Sequence, residues 1–147
     1  MSEPEIYRLV LWGSFGLAAV IFAVLFFLSA PYGRHTRGGW GPTIGNTMGW
    51  VIMECPSVLL FGTLFLVSDR TGSALALVFL VMWQLHYVNR VFIYPFRLRN
   101  TSKRMPVVIM FSGVMFNCLN AYLIARYLFT LGPALETSWL MDPRFWI

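Results

Sequence analysis

Four long apolar segments are the feature that most constrains the fold of this chain. A helix that spans a bilayer needs about 20 consecutive, mostly apolar residues. Stretches of that kind, bounded by glycine, proline or charged residues, predict helices over residues 5–29, 43–67, 73–94 and 106–131. The expected fold class is therefore all-α, a polytopic membrane bundle with four transmembrane helices.

The composition supports this prediction. Of the 147 residues, 58% are hydrophobic and only 12% are charged, whereas soluble domains carry about 25% charged residues. The first apolar segment is longer than the core of a signal peptide and follows acidic residues. We therefore expect it to be retained as a helix.

The position of the charges predicts an orientation. Most of the lysines and arginines between helices lie in the segments after the first and third helices, whereas the N-terminus and the segment after the fourth helix are acidic. Under the positive-inside rule, the two basic segments face the cytoplasm and the N-terminus lies in the lumen or periplasm. A multi-pass protein of the endoplasmic reticulum or of a bacterial inner membrane is expected.

Two other kinds of partner are not indicated. The net charge of +5 comes from short segments beside the bilayer, and no basic stripe alternates with stacking aromatic residues, so we expect no nucleic acid partner. Cys55 and Cys118 both lie within apolar segments. They suit small buried positions, and no spacing of His and Cys indicates a metal site.

The end of the sequence predicts the start of a further helix. After an acidic segment around Glu136 and Asp142, residues 143–147 are typical of a first helical turn. A helix this short cannot cross a membrane. We therefore expect a C-terminal portion or a partner chain to complete it.

Glu54 lies near the middle of the second predicted helix, about 16 Å from either end at the α-helical rise. An ionised carboxylate there costs about 2.5–3.5 kcal/mol on insertion scales. It is either a neutral or paired group that holds helices together, or a catalytic or substrate-binding carboxyl. Trp50, Ser57 and Phe61 lie on the same helical stripe, and Pro56 should kink the helix beside it.

The third predicted helix carries an unusual polar face. At 100° per residue, its members fall on one broad side of the helix. They are Gln84, His86, Tyr87, Arg90 and Tyr94. Such a face either looks onto a polar cavity or a partner, or forms an interfacial belt where the helix leaves the bilayer.

The fourth predicted helix has its own row of small and polar residues. Ser112, Phe116 and Asn120 line up, with Gly113 and Asn117 beside them. Small residues at this spacing allow close helix packing, and a buried asparagine often bonds to a neighbouring helix. Two roles remain open for this row of residues, helix packing and the lining of a pocket.

Five short strings, in order along the chain, resemble the steroid 5α-reductase family. They are residues 31–35 (PYGRH), 54–57 (ECPS), 86–90 (HYVNR), 94–96 (YPF) and 142–145 (DPRF). The resemblance implies a seven-helix membrane enzyme that transfers hydride from NADPH to C5 of a 3-oxo-Δ4 steroid. It also implies that residues 1–147 form the N-terminal, substrate-binding half, whose partners are the steroid, the lipid bilayer and its own C-terminal half. The main cofactor-binding residues of the family lie beyond this chain, so the chain alone should not turn over.

The resemblance assigns the catalytic positions to Glu54 and Tyr87, which contact the steroid 3-oxo group in the family. Hydride addition to an enone leaves negative charge on that oxygen, and buried hydrogen-bond donors stabilise it. Tyr87 can donate directly, and Glu54 can donate if burial keeps it protonated. We therefore expect Tyr87 and a neutral Glu54 to form an oxyanion-binding pair.

The remaining site positions follow from the same resemblance. Trp50 and Phe116 match residues that line the steroid pocket, and Ser112 stands where some members carry an arginine near the substrate. Asn120, on the same row, is included among the substrate-binding candidates. On the cofactor side the resemblance implies Tyr32, Arg99 and either Lys103 or Arg104.

Two alternatives remain open. The first is a reductase of another conjugated substrate, such as a fatty enoyl thioester or a polyprenyl compound. The second is a small four-helix binding or transport protein without catalysis.

Overall fold

The computed structural model describes residues 1–29, 38–98, 103–134 and 136–146. The regular elements, in chain order, are α1 (Glu3–Leu25), β1 (Thr43–Gly45), α2 (Asn46–Leu66), α3 (Ala74–Val88), α4 (Tyr94–Arg97), β2 (Arg104–Pro106), α5 (Val107–Arg126) and α6 (Pro143–Trp146). Single π-helical turns follow α3 and α5, and a 3-10 helix precedes α6. The prediction of an all-α polytopic bundle is confirmed.

Four helices are long and apolar enough to cross a membrane. They are Glu3–Leu25, Asn46–Leu66, Ala74–Arg97 and Val107–Leu131. Each matches one predicted span, with the ends shifted by a few residues. Helix α1 begins earlier than predicted, at Glu3, where the side chain of Glu5 accepts a hydrogen bond from the backbone N–H of Ser2 at 2.7 Å. This bond satisfies one of the free N–H groups at a helix start.

A short antiparallel strand pair was not predicted. Residue 43 was expected to begin a helix, but Thr43–Gly45 is a strand whose Ile44 lies opposite Met105 of β2. Helix α2 follows β1 directly and α5 follows β2 directly. The pair therefore brings the starts of α2 and α5 together. Met53 lies against Gly113 and Ser57 bonds to Asn117, one turn further along both helices, so α2 and α5 run in the same direction.

The apolar core lies at the far end of α2 and α5 from the strand pair. Phe61 stacks on Trp83 of α3 with ring centroids 4.2 Å apart, and the Phe129 ring meets Phe61 edge-on at 5.1 Å. Ala121 and Ala125 of α5 are fully buried against this cluster. Their small side chains let the helices approach closely.

The third span continues past Pro95, where the sequence predicted its end. Pro95 has no N–H, and its ring would clash with the carbonyl of Val91 in a regular α-helix. The π-helical turn Asn89–Ile93 resolves this conflict, because it widens the helix and lets the N–H of Tyr94 bond to the carbonyl of Asn89. The helix therefore reaches Arg97.

Helix α1 rests on α5 only through its first half. The Tyr7 hydroxyl donates to the carbonyl of Leu123 at 3.0 Å, and Arg126 forms an ion pair with Glu3 at 2.5 Å. Beyond Ser14 every residue of α1 is exposed. An apolar cleft of about 440 Å³ separates this second half from α5.

Arg70 clamps the end of the fourth span from the turn between α2 and α3. Its guanidinium donates to the carbonyls of Leu128 at 2.7 Å, Gly132 at 2.5 Å and Pro133 at 3.1 Å. The last carbonyls of a helix have no partner within the helix. Arg70 supplies both hydrogen bonds and positive charge to this end.

The predicted helix start at residue 143 is confirmed as α6. Its first residues are held by Asp142, which accepts hydrogen bonds from the backbone N–H and from Nε of Arg144, both at 2.9 Å. These bonds from Arg144 lower the pKa of Asp142 to about 2. The same guanidinium lies 5.8 Å from the Trp139 ring centroid.

Candidate functional site: a cavity between α2, α3 and α5

A cavity of about 530 Å³ lies between α2, the polar face of α3 and the first half of α5, close to the strand pair. Its lining consists of Trp50, Met53, Glu54, His86, Tyr87, Arg90, Met105, Ile109, Ser112, Gly113, Phe116 and Asn117. Methionine, isoleucine and aromatic side chains dominate its walls. The ionisable groups come from α2 and from α3 with its π-helical turn, so the cavity has a polar side and an apolar side.

Glu54 is paired in this structure. The residue is 3% exposed, and its carboxylate accepts a hydrogen bond from Nη2 of Arg90 at 2.5 Å. The Arg90 guanidinium also lies over the Trp50 ring, 5.4 Å from its centroid. Of the alternatives left open for Glu54, the structure shows a paired carboxylate, and it places that pair in the cavity wall. A buried charge needs such a partner.

The polar face of α3 is divided between the cavity and a neighbouring helix. His86, Tyr87 and Arg90 line the cavity, which an interfacial belt would not require. Gln84 instead turns towards α2, where its Nε2 donates to the carbonyl of Val58 at 3.0 Å. The Tyr87 hydroxyl makes no hydrogen bond to any other described residue, and it is available to a ligand.

Tyr94, the last member of the predicted polar face, supports the site from behind. It is not part of the cavity lining. Its ring meets Trp50 edge-on at 5.4 Å between centroids. Since Trp50 lies under the Arg90 guanidinium, Tyr94 helps to fix the aromatic surface on which that cation rests.

Helix α5 supplies the opposite wall. Ser112 and Phe116 line the cavity, together with Gly113 and Asn117. Asn120 does not reach this cavity, because it faces the cleft between α1 and α5. Phe116 borders both spaces. The structure therefore brings two of the three predicted positions of this row to the cavity.

A buried hydrogen-bond network closes the floor of the cavity. The Ser57 hydroxyl donates to Oδ1 of Asn117 at 2.8 Å, and Nδ2 of Asn117 donates to the carbonyl of Met53 at 2.8 Å. Trp83 adds a bond from Nε1 to the carbonyl of Ser57 at 2.8 Å. All these groups surround Pro56, where the helix lacks one of its own bonds. Pro56 frees the carbonyl of Ile52, whereas these bonds reach the nearby carbonyls of Met53 and Ser57 and tie the segment around the proline to α5 and α3.

The predicted cofactor positions are only partly described. Tyr32 and Arg99 lie outside the described residues. Arg104 bonds β1, with Nε donating to Oγ1 of Thr43 at 2.7 Å, and the carbonyl of Lys103 accepts from the N–H of Asn46 at 3.1 Å. Both residues precede Met105, which lines the cavity. Neither basic side chain is part of the cavity lining.

Arg90 was predicted to lie on the polar face, but no role was assigned to it from the sequence. Met53 and Asn117 were not predicted as site residues. The signal for Arg90 was a cation within a spanning segment, which must pair or face a cavity. Its partner, Glu54, lies 36 residues away in the chain. Only the packing of α3 against α2 reveals that pairing. Among the described residues, no group of His, Cys, Asp and Glu could hold a metal ion.

Four membrane-length helices with a cavity of mixed polarity between α2, α3 and α5 define this chain as a polytopic helical membrane protein with a candidate site in that cavity. No protein-family profile matches the sequence. Its relatives include steroid 5-alpha-reductase DET2 of Gossypium hirsutum, 36% identical over 147 residues, or 98% of this chain and 57% of the relative. The 3-oxo-5-alpha-steroid 4-dehydrogenase 1 of Homo sapiens is 29% identical over 149 residues, or 100% of this chain and 57% of the relative. The same-named protein of Macaca fascicularis is 34% identical over 118 residues, or 79% of this chain and 44% of the relative.

The predicted relationship to the steroid 5α-reductase family is thereby confirmed. The similarity covers nearly all of this chain, and the chain spans about half the length of the curated relatives that it matches.

Proposed function

We propose that this chain forms the substrate-binding part of a membrane reductase that saturates the Δ4 double bond of 3-oxo-Δ4 steroids, with NADPH as the hydride donor. The observation that carries the proposal is the cavity itself. It places the Glu54–Arg90 pair and Tyr87 beside apolar walls, in a chain related to steroid 5-alpha-reductases.

The dimensions and polarity of the cavity support a ligand of this class. Sites for small molecules usually enclose about 300–1,000 Å³, and this cavity measures about 530 Å³. Met53, Met105, Ile109 and Phe116 give it apolar walls suited to a flat hydrocarbon skeleton. The polar groups on one side suit a single carbonyl oxygen.

The chemistry of the polar side supports reduction of an enone. Hydride addition to C5 moves electrons onto the carbonyl oxygen, and donors aimed at that oxygen lower the barrier by about 3–4 kcal/mol each. The Tyr87 hydroxyl, which bonds to no other described residue, is such a donor. A neutral Glu54 would also be one, but in the structure its carboxylate is engaged by Arg90. Glu54 and Tyr87 remain the proposed catalytic residues.

For substrate binding we propose Trp50, Ser112 and Phe116, which line the same cavity. Asn120 contacts substrate only if the ligand extends past Phe116 into the cleft beside α1. For the cofactor we propose Tyr32 and Arg99, together with Lys103 or Arg104. When bound, the reduced nicotinamide supplies the hydride.

The cofactor residues present suit their proposed partner. Guanidinium and ammonium groups bind phosphate oxygens through charge-assisted hydrogen bonds. Arg104 uses Nε and Nη2 on Thr43, which fixes the side chain and leaves Nη1 for a phosphate. Lys103 is exposed. We further propose that a C-terminal half completes the cofactor site.

The proposed location is a multi-pass membrane protein with a lumenal or periplasmic N-terminus. Arg97, Lys103 and Arg104 lie at the strand-pair end of the bundle, and no acidic residue accompanies them among the residues described there. At the opposite end the acidic residues Glu3 and Asp142 form ion pairs with Arg126 and Arg144, which neutralise part of the positive charge there. This asymmetry supports cytoplasmic placement of the strand-pair end.

A complementation assay tests the proposal. Membranes that hold this chain, with or without the C-terminal half of a related reductase, are incubated with NADPH and a 3-oxo-Δ4 steroid while the enone absorbance is followed. We expect the absorbance to fall only in the complemented sample, and to fall at least about 100-fold more slowly with Tyr87→Phe. An intact related reductase serves as the positive control. If that control works and the complemented sample does not, steroid reduction by this chain is refuted and another enoyl substrate gains support.

A further inference from the structure

We infer that the cleft between α1 and α5 holds the substituent at C17 of the steroid, and that Asn120 forms a hydrogen bond with an oxygen atom on that substituent. This inference rests on the proposed function and specifies it further, because it assigns specificity to a space outside the cavity between α2, α3 and α5. The preferred substrates are then 3-oxo-Δ4 steroids whose C17 side chain carries a carbonyl or hydroxyl group.

The cleft continues the cavity past a single side chain. Phe116 borders both spaces, and it is 63% exposed because it faces open space on both sides. Asn120 lines the cleft one helical turn beyond Phe116, on the same row of α5. Residues four apart on a helix have Cβ atoms about 5–6 Å apart. A ligand that extends past Phe116 therefore comes next to Asn120.

The arrangement of the cavity directs the far end of a steroid towards the cleft. The ionisable groups come from α2 and from α3 with its π-helical turn, whereas Phe116 belongs to the opposite wall, on α5. In a steroid, C3 and C17 lie at opposite ends of the fused ring system. A steroid whose 3-oxo oxygen meets the polar side thus presents C17 to the α5 wall, where the cleft begins.

The lining of the cleft suits a mostly hydrocarbon substituent with one polar atom. The cleft measures about 440 Å³, and its walls come from the second half of α1 and from α5. Ser14 and Asn120 are the polar members of the lining. The Ser14 hydroxyl already donates to the carbonyl of Leu11 in its own helix, at 2.7 Å. Asn120 is thus the polar group of this lining that is left for a ligand.

Asn120 lies at a depth where an amide needs a partner. It is near the middle of the span Val107–Leu131, about 16–20 Å from either end at the α-helical rise. Water is absent at that depth, and an unpaired polar group there is unfavourable. Asn120 makes no hydrogen bond to another described residue, whereas Asn117 makes two. An amide has both donors and an acceptor, so Asn120 can bond to a carbonyl or to a hydroxyl group.

The test measures equilibrium binding of three steroids to the purified full chain in lipid nanodiscs, with empty nanodiscs to correct for partitioning into the lipid. All three share the 3-oxo-Δ4 ring system. Pregn-4-ene-3,20-dione has a two-carbon side chain at C17 with an oxygen atom, pregn-4-en-3-one has the same side chain without the oxygen, and androst-4-en-3-one has no side chain. We expect the wild-type chain to bind the dione about fivefold more tightly than pregn-4-en-3-one, the ratio that one neutral hydrogen bond gives.

Two substitutions of Asn120 separate the hydrogen bond from the space. Asn120→Leu should weaken binding of the dione about fivefold and leave that of pregn-4-en-3-one unchanged. Asn120→Trp fills the cleft, so both steroids with a side chain should bind about 10-fold more weakly, while androst-4-en-3-one binds as it does to wild type. Met115→Trp is the matched control. It places the same bulk on a residue of α5 that lines neither space, and it should change none of the three affinities.

Several outcomes would overturn the inference while leaving the proposed function standing. One is equal affinity of the wild-type chain for the dione and for pregn-4-en-3-one, and another is a ratio that survives Asn120→Leu. A third is an Asn120→Trp variant that binds all three steroids more slowly at unchanged equilibrium affinity, since the cleft would then be an entry path and not a binding site. If the wild-type chain bound none of the three steroids, the proposed function and the inference would both fail.

Discussion

Asn117→Leu should destabilise the bundle measurably, although leucine is close to asparagine in shape and more apolar. The substitution removes two hydrogen bonds of 2.8 Å, one from the Ser57 hydroxyl and one to the carbonyl of Met53. Ser57 is fully buried and Asn117 is 4% exposed. Each buried polar group left without a partner costs about 1–3 kcal/mol.

Local rearrangement limits the loss. The Ser57 hydroxyl can turn towards the carbonyl of Met53, one helical turn earlier, and so satisfy both groups. Hydrogen bonds between spanning helices also average only about 0.6 kcal/mol, with a maximum near 1.7. We therefore expect Asn117→Leu to lower the free energy of unfolding by about 2 kcal/mol. Coupling between Ser57→Ala and Asn117→Leu in a double-mutant cycle should be about 1 kcal/mol.

Reversible unfolding in mixed detergent micelles, followed by tryptophan fluorescence, measures these values. Asn120→Leu is the matched control, because this asparagine lies on the same helix but makes no hydrogen bond to another described residue. It should change stability by less than about 0.5 kcal/mol. Equal effects at the two asparagines would refute the reasoning, since the network would then contribute nothing beyond the general removal of an amide.

Three further predictions follow from features of the fold. Arg70→Lys should lower stability by about 2 kcal/mol in the same unfolding assay, because an ammonium cannot reach all three carbonyls that the guanidinium bridges. Gly113→Ala should weaken steroid binding more than it lowers stability, because the added methyl displaces the flexible Met53 side chain at the cavity wall. The pKa of Asp142 is lowered to about 2, so its contribution is complete above the ordinary value near 3.8 and is lost as pH falls through about 2. The Trp139 fluorescence, taken as the difference from Trp139→Phe, should therefore be constant from neutral pH to about pH 4 and change below it.

For each of these three predictions, one outcome would contradict the reasoning. A fully stable Arg70→Lys would mean that positive charge alone is enough at the end of the fourth span. Unchanged steroid affinity in Gly113→Ala would show that this part of the wall does not touch the ligand. An Asp142→Asn variant should give the low-pH fluorescence at every pH, and a wild-type signal from it would show that Asp142 does not hold Arg144 over Trp139.

The sequence was most informative about the spans and about which face of each is polar. Hydrophobic length identified the four helices, and the helical period placed Glu54, Ser57 and Phe61 on one stripe, where the structure finds all three buried. The same period placed Tyr87 and Arg90 on one face of α3. These features depend on local geometry, which the sequence determines directly.

The errors arose where contacts between distant segments decide the structure. The strands are each only three residues long and show no extended alternation, so their pairing across the bundle left no local signal. Pro95 correctly indicated a break in α-helical geometry, but a π-helical turn absorbed it and the span continued. Asn117 and Asn120 are both asparagines in one span, so the sequence did not show which of them is buried. Only the packing of α5 against α2 shows that it is Asn117.

The strand pair also has a consequence for the order in which the molecule is built. Thr43 and Arg104 are 61 residues apart in the chain, so β1 has no partner until two further spans have been synthesised. Helices α2 and α3 can associate early as a sequential hairpin, because short connections close rapidly. The alignment of α2 with α5 must wait for β2. During synthesis the cavity is thus an unfinished groove, and its second wall is added only when α5 (Val107–Arg126) has been made.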